Sequence, residues 1–344
     1  MEPDGKKPWM PYKKQSPEEA AQMDSVVREI QALYDANTRI FTRDAIRQAG
    51  EQLEAFRKGG SNGGEIVMKG INGVDYKVVV DPPREDRLPT SNPYLAGWRW
   101  RIFYHSIESL TIHKDAWTFD PQNAYLPMEI MASNWWKGNW YDYEETLSIS
   151  SVEDLRRAFQ DAEHQLRASK YYEYLQAALT TVEVPFALDK IVALALGTLA
   201  LPGEVLERPM VQHAFVSTIH SSLLSCGMMP AGSRCYAQDP AYKETDIDAL
   251  TSEGFVILQD PQALLILDES TVLVSINPGF PVKQIVADLC RPGMIIWLKE
   301  KDLTYITDPT SQRVTEMVEK EYYKVDLPDH ESLDDLVMYV RKSG

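Results

Sequence analysis

Cysteine is scarce in this sequence. Cys226, Cys235 and Cys290 are the three it holds in 344 residues, and no two of them form a CxxC pair. That pattern offers neither a disulfide framework nor a structural zinc site, and it suits a reducing compartment. Basic residues are in deficit as well. Lys and Arg total 35 against 51 Asp and Glu, a net charge of −16, and no local basic patch offsets it. Bulk electrostatics therefore repel nucleic-acid phosphates and anionic membrane surfaces. No stretch approaches the ~18 uncharged apolar residues of a membrane span. The opening MEPDGKKPWMPYKKQSPEEAA lacks the apolar core of a signal peptide. The expectation is a cytoplasmic or nuclear protein with neither nucleic acid nor membrane as partner.

Familiar catalytic signatures are missing too. There is no GxGxxG, no Walker loop, no HExxH and no strand-borne nucleophile elbow of GxSxG type. What the chain does have is a 44% hydrophobic composition, enough for a sizeable core. Residues 1–15 read as a flexible tail. Order begins at Ser16-Pro17-Glu18-Glu19, a capping box with proline at the first helical position, and Met23, Val26, Ile30 and Leu33 give that helix one apolar face. Ile46, Ala49, Leu53 and Phe56 repeat the rhythm in a second helix, which GGSNGG at 59–64 ends. EIVMKG and VDYKVVV flank Ile71-Asn72-Gly73 and predict a hairpin with a type I′ turn. The segment 81–92, DPPREDRLPTSN, reads as a connector.

Six of the eight tryptophans then fall between 98 and 140: Trp98, Trp100, Trp117, Trp135, Trp136 and Trp140. Tyr94, Tyr104, Tyr125, Tyr141 and Tyr143 are interleaved with them. This density suits either a stacking wall for a flat ligand or bulky filler between a small sheet and the main domain. Ser151 and the pattern Val152, Leu155, Phe159, Ala162, Leu166 predict another capped helix. An N-terminal α+β region thus spans 16–180.

From Lys190 the pattern becomes α/β. Apolar runs at 191–196, 234–237, 254–258, 271–276 and 294–298 alternate with helical stretches near 205–226, 242–253 and 281–290. The fold class is α/β: a Rossmann-like three-layer parallel sheet with an α+β N-terminal extension. Residues 301–344 read as a helical tail packing on the outside, with helical signals at 311–321 and 332–341.

Ligands on such sheets bind at the carboxyl ends of the strands, where strand order reverses. DKIVALALGTLALPG at 189–203 is the first strand and turn, and Gly197, Thr198, Asp239 and Asn277 are the candidate binding residues on one rim. Gly197 with Thr198 makes a thin version of a phosphate cradle, unless Thr198 only caps a helix or shapes the turn. Asp239 follows the second strand, where an acid can accept from ribose hydroxyls, or it makes an Asx-turn before Pro240. Asn277-Pro278-Gly279-Phe280 is a faint, incomplete version of the Asn-Pro-Pro-aromatic turn of amino-methyltransferases. His213 and His220 share a helix ~10 Å apart along its axis, too far for one metal. Ser217 lies one turn from each, and His105 and His113 flank Glu108 in the aromatic segment. Cys226 and Cys290 read as small buried hydrophobes.

Three blocks carry a family resemblance. They are KIVALALGTLA with the helix containing Met210 to Phe215, the run Tyr236 to Tyr242 around Asp239-Pro240, and Thr271 to Pro278 with Phe280-Pro281-Val282-Lys283. Together they resemble the sensitivity-to-red-light-reduced (SRR-like) domain family, in its fungal-type arrangement with an N-terminal extension, over roughly 185–300 and more loosely in RIFTRDAIRQAGEQL near the N-terminus, which places an SRR-like domain at 181–300. Many members carry Pro-His-Cys where this chain has Pro278-Gly279-Phe280, so no metal or thiol role transfers to that turn. Members have been linked to light and circadian signalling, haem metabolism and cytoskeletal stability. The resemblance implies a regulatory protein that binds a small ligand or protein partner. The alternative is an enzyme of methyltransferase-like kind using S-adenosylmethionine or a nucleotide, and haem is a further candidate ligand.

Overall fold

The computed structural model describes residues 16–59, 63–80, 95–112, 123–136, 151–185, 187–201, 204–299 and 307–343. The expected tail 1–15 and connector 81–92 lie outside these residues, as do Trp117, Trp140, His113, Pro202 and Gly203. So do Tyr94, Tyr141, Tyr143 and the side chains of Trp98, Trp135 and Trp136.

Helix α1 (Pro17–Asp35) starts as its sequence dictates: Ser16 Oγ accepts from Glu19 N at 3.1 Å while Ser16 N donates to Glu19 Oε2 at 2.8 Å. After α2 (Arg43–Gly59), strands β1 (Gly64–Lys69) and β2 (Asp75–Val80) pair antiparallel. Their loop is not a two-residue type I′ turn. Gly70 N bonds Val74 O and Gly73 N bonds Gly70 O, so the loop runs from Gly70 to Val74 with Gly73 at φ 78°. Asn72 Oδ1 accepts from Val74 N and its amide donates to Tyr76, which draws Asn72 into a longer loop than the Asn-Gly dipeptide alone predicts. A second hairpin follows, β3 (Leu95–Tyr104) and β4 (Met128–Trp136), with the short α3 (Ile107–Ile112) between them. Trp100 is buried against Phe56, ring centroids 4.8 Å apart, so this tryptophan is core filler.

Helices α4 (Val152–Arg167) and α5 (Lys170–Thr181) lead into the main sheet. In chain order the remaining elements are β5 (Lys190–Leu194), the two-residue pair β6 (Ala200–Leu201) and β7 (Glu204–Val205), α6 (Glu207–Ser225), β8 (Arg234–Gln238) and α7 (Glu244–Ser252). Then come β9 (Phe255–Ile257), α8 (Gln262–Leu265), β10 (Thr271–Ser275), α9 (Val282–Leu289), β11 (Met294–Leu298), α10 (Gln312–Glu321), β12 (Tyr322–Asp326) and β13 (Leu336–Arg341). All five expected strands form. They lie in one seven-stranded sheet of order β12-β13-β11-β10-β5-β8-β9, parallel from β11 to β9.

The last segment departs from expectation. Residues 332–341 form no helix; β13 runs antiparallel between β11 and β12, and the tail supplies two strands of the sheet. Leu336, Val337, Met338 and Val340 are buried because a strand inside a sheet has apolar neighbours on both faces. A continuous run of that kind reads equally well as a buried helix.

The pleat sorts the core into two layers. Ile191 and Ala193 of β5 face α4, α5, α6 and α7, whereas Val192 and Leu194 face α8, α9, α10 and the N-terminal helices and hairpins. The N-terminal extension is thus one wall of the core. One buried carboxylate fastens its start. Asp288 at the end of α9 accepts from Ile40 N at 2.7 Å and Phe41 N at 3.0 Å, and pairs with Arg313, which also donates to Tyr34 O and Thr38 O. The Arg313 guanidinium lies 4.2 Å from the centre of the Tyr34 ring. Removing one partner of a buried pair strands the other. Asp288→Ala is expected to destabilise the fold by about 3–5 kcal/mol in urea unfolding, and Asp288→Asn by clearly less.

Candidate functional site

The chain runs from β5 to β8 and β9 on one side, then returns to β10 and β11 on the other. Strand order reverses between β5 and β10, and the crevice above their carboxyl ends is the expected ligand position. Register sets the level: Leu194 pairs with Gln238 and with Ser275. Gly197, Thr198, Asp239 and Asn277 all lie just beyond that row.

The first three are in contact. Gly197 N donates to Asp239 Oδ2 at 2.7 Å, and Asp239 Oδ1 accepts from Ala241 N at 2.7 Å, the Asx-turn before Pro240. Gly197 has φ 81°, a conformation that suits glycine. Thr198 Oγ1 donates to Asp246 Oδ2 at 2.7 Å, and Asp246, fully buried, also accepts from Leu199 N and Lys243 N. Thr198 is no helix cap, since α6 begins only at Glu207 behind Leu206. Two carboxylates therefore fasten the β5 loop to the start of α7. Asn277 stands apart in the bend after β10, exposed, at φ 54°. Ala195, directly after β5, has φ 58° although it carries a Cβ.

Beneath this loop His213 is fully buried on α6. Its Nδ1 donates to Pro209 O at 2.6 Å, so Nε2 accepts from the Tyr242 hydroxyl at 2.7 Å. Burial pushes its pKa down to about 4. Three further polar groups of the rim carry no signature motif. Asp260, after β9, accepts from Tyr104 Oη at 2.9 Å and Gln238 Nε2 at 3.2 Å, and burial raises its pKa to about 6. Buried Asp308 accepts from Lys283 N at 2.9 Å, at the start of α9, and burial raises its pKa to about 7. Ser275 Oγ, at the end of β10, is buried without a hydrogen-bond partner. Asp239, Asp260 and Asp308 each precede a proline. That repeated Asp-Pro dipeptide was the available signal, because proline holds the preceding residue extended at a strand end.

Other chemistry-bearing groups are placed elsewhere. His220 contacts Ser233 Oγ, Ser217 donates to Glu163, and His105 lies 3.7 Å from Glu129. Among the described residues no three His, Cys, Asp or Glu side chains converge as a metal site. Cys226 is exposed at the end of α6 instead of buried, because the helix stops there and the side chain meets solvent. Cys290 is half-buried, its thiol pushed up to about 12 by burial.

The buried His213 has a consequence for stability. Between pH 6.5 and about 4 the unfolded chain takes up a proton that folded His213 refuses. Its contribution is therefore complete above pH 6.5 and lost as pH falls through 4. Wild type is expected to lose up to about 1.4 kcal/mol per pH unit from this residue across that window. His213→Gln should lack that component in urea titrations at successive pH values.

Residues 175–333 match the family profile of the SRR1 domain. No curated protein sequence matches the chain. Among solved structures, the N-methyltransferase NodS from Bradyrhizobium japonicum WM9 is similar at 11% identity, over 52% of this chain and 100% of its own, with a TM-score of 0.30. The SRR1 match starts within α5 and ends before β13, so it contains β5 and the loops carrying Gly197, Asp239 and Asn277. This segment, residues 175–333, is similar to the SRR1 domain family.

Proposed function

We propose that the SRR1 domain is a regulatory binding module that holds a small ligand or a protein partner at the carboxyl-terminal rim of its sheet, above β5 and β10. The observation that carries this reading is Ala195. A residue with a Cβ in the left-handed region costs about 1–2 kcal/mol, and such strain persists where the surroundings enforce it, characteristically at binding sites. Ala195 N is held by Gln238 O at 3.1 Å, and Asn277 has the same hand just after the neighbouring strand β10. Ser275 Oγ, without a partner in the row below, is a donor and acceptor available to a bound group.

Asp308 supports a second reading, an enzyme using S-adenosylmethionine or a nucleotide. A carboxyl group held at about 7 beside Lys283 suits acid–base work near neutral pH. Asp239 supports the binding of ribose less directly, because its two oxygens already accept backbone N–H groups.

A thermal-shift series with S-adenosylmethionine, nicotinamide dinucleotides, ATP and haem tests the site. A ligand of the rim is expected to raise the Tm of wild type and to lose that effect in Ser275→Ala. The variant's own stability should change by less than about 0.5 kcal/mol, since it removes a hydroxyl that bonds nothing. A shift that survives Ser275→Ala places the ligand elsewhere. Ala195→Gly relieves the backbone strain and is expected to stabilise the unliganded protein by up to about 1 kcal/mol in urea unfolding.

A further inference from the structure

We infer that this protein has a second ligand site, at the opposite end of the sheet, for a small organic anion with an apolar body. A cleft of about 680 Å³ opens at the amino-terminal ends of β5 and β8. That volume falls within the ~300–1,000 Å³ typical of small-molecule sites.

Its charge is out of character for the chain. Arg43 from α2, Lys190 from β5 and Arg234 from β8 converge on the cleft, in a protein of net charge −16. Asp189 and Asp268 also line it, but both pair with Lys190 Nζ at 2.8 Å, which Ser270 Oγ meets at the same distance. Lys190 is therefore more than neutralised, and with three cationic side chains against two acidic ones the lining keeps one positive charge net. The two guanidinium groups are not neutralised: among the described residues neither Arg43 nor Arg234 is in an ion pair. Arg43 donates instead to the carbonyls of Leu265 and Leu267 at the end of α8, which fixes its position and leaves its charge uncompensated. Arg234 is exposed.

Leu258, Leu265 and Ile266, all half-buried, give the same cleft an apolar wall. A planar or branched hydrocarbon would cover that wall, and an acidic head would lie against the guanidinium groups, which bind carboxylates and sulfonates through paired N–H donors. Inorganic phosphate alone would leave the wall exposed, and a neutral hydrocarbon would leave the charge unmet. The combination selects an amphipathic anion.

The test uses the full chain and 1-anilinonaphthalene-8-sulfonate as probe, with N-phenyl-1-naphthylamine as its analogue without the sulfonate. The sulfonate probe is expected to bind saturably, about tenfold more tightly than the neutral analogue. Arg234→Gln should weaken the sulfonate probe about tenfold and leave the analogue unchanged. Arg234 is exposed, so this variant should keep the wild-type Tm. Ile266→Asp, which sets a carboxylate on the half-buried wall, should weaken both probes. Saturable binding that Ser275→Ala leaves intact separates this site from the rim above β5. No saturable binding of the sulfonate probe, or equal affinity in wild type and Arg234→Gln, overturns the inference.

Discussion

An aspartate withdrawn from water must find donors, because an unpaired carboxylate in the interior costs several kcal/mol. This chain uses that requirement as its principal means of joining distant segments. Asp239 takes the Gly197 amide, Asp246 takes Thr198 and Leu199, Asp288 takes Ile40 and Phe41, and Asp308 takes Lys283. In each case the acceptor lies on one element and the donor on the loop or helix start that must be held beside it. The rim above β5 therefore has its shape because its loops are tied down by acids. An acid so employed is a poor first candidate for ligand recognition, since its lone pairs are already directed inward. Groups with unspent capacity, such as Ser275, are better ones.

The N-terminal extension belongs to the same scheme. Its helices and hairpins cover one face of the sheet, and Tyr104 reaches the rim, with its hydroxyl on Asp260 and its ring 5.3 Å from that of Phe280. Ile107 N donates to Gln284 Oε1, and Gln284 Nε2 donates to Glu108. The described part of the aromatic segment thus braces the start of α9 from the side. A ligand approaching Asn277 meets a wall built partly by residues far upstream of the SRR1 match.

Much of this architecture was legible in the sequence. The Ser16 capping box, the helical spacing from Val152 to Leu166 and the five apolar runs after Lys190 are local patterns, and local patterns survive folding when the core agrees with them. What failed to show was set by distant partners. The run Leu336 to Val340 is equally compatible with a buried helix and a buried strand, and only its neighbours β11 and β12 decide between them. The common rim of Gly197, Asp239 and Asn277 followed from strand alternation. The inward employment of Asp239 and Asp246 did not, because a carboxylate looks the same in sequence whether it faces an amide or a ligand. The amino-terminal cleft was invisible for a related reason: Arg43, Lys190 and Arg234 are widely separated in sequence, and the chain's overall acidity hides a local cationic site.

The place of β13 bears on how the protein is made. Residues 336–341 enter the sheet between two strands that precede them in the chain, so β12 has no neighbour until β13 has been synthesised. During translation the parallel strands can assemble as they emerge, while β11 waits with one unpaired edge. A chain lacking β13 would leave the edge of β11 open and β12 without a partner, a product suited to self-association.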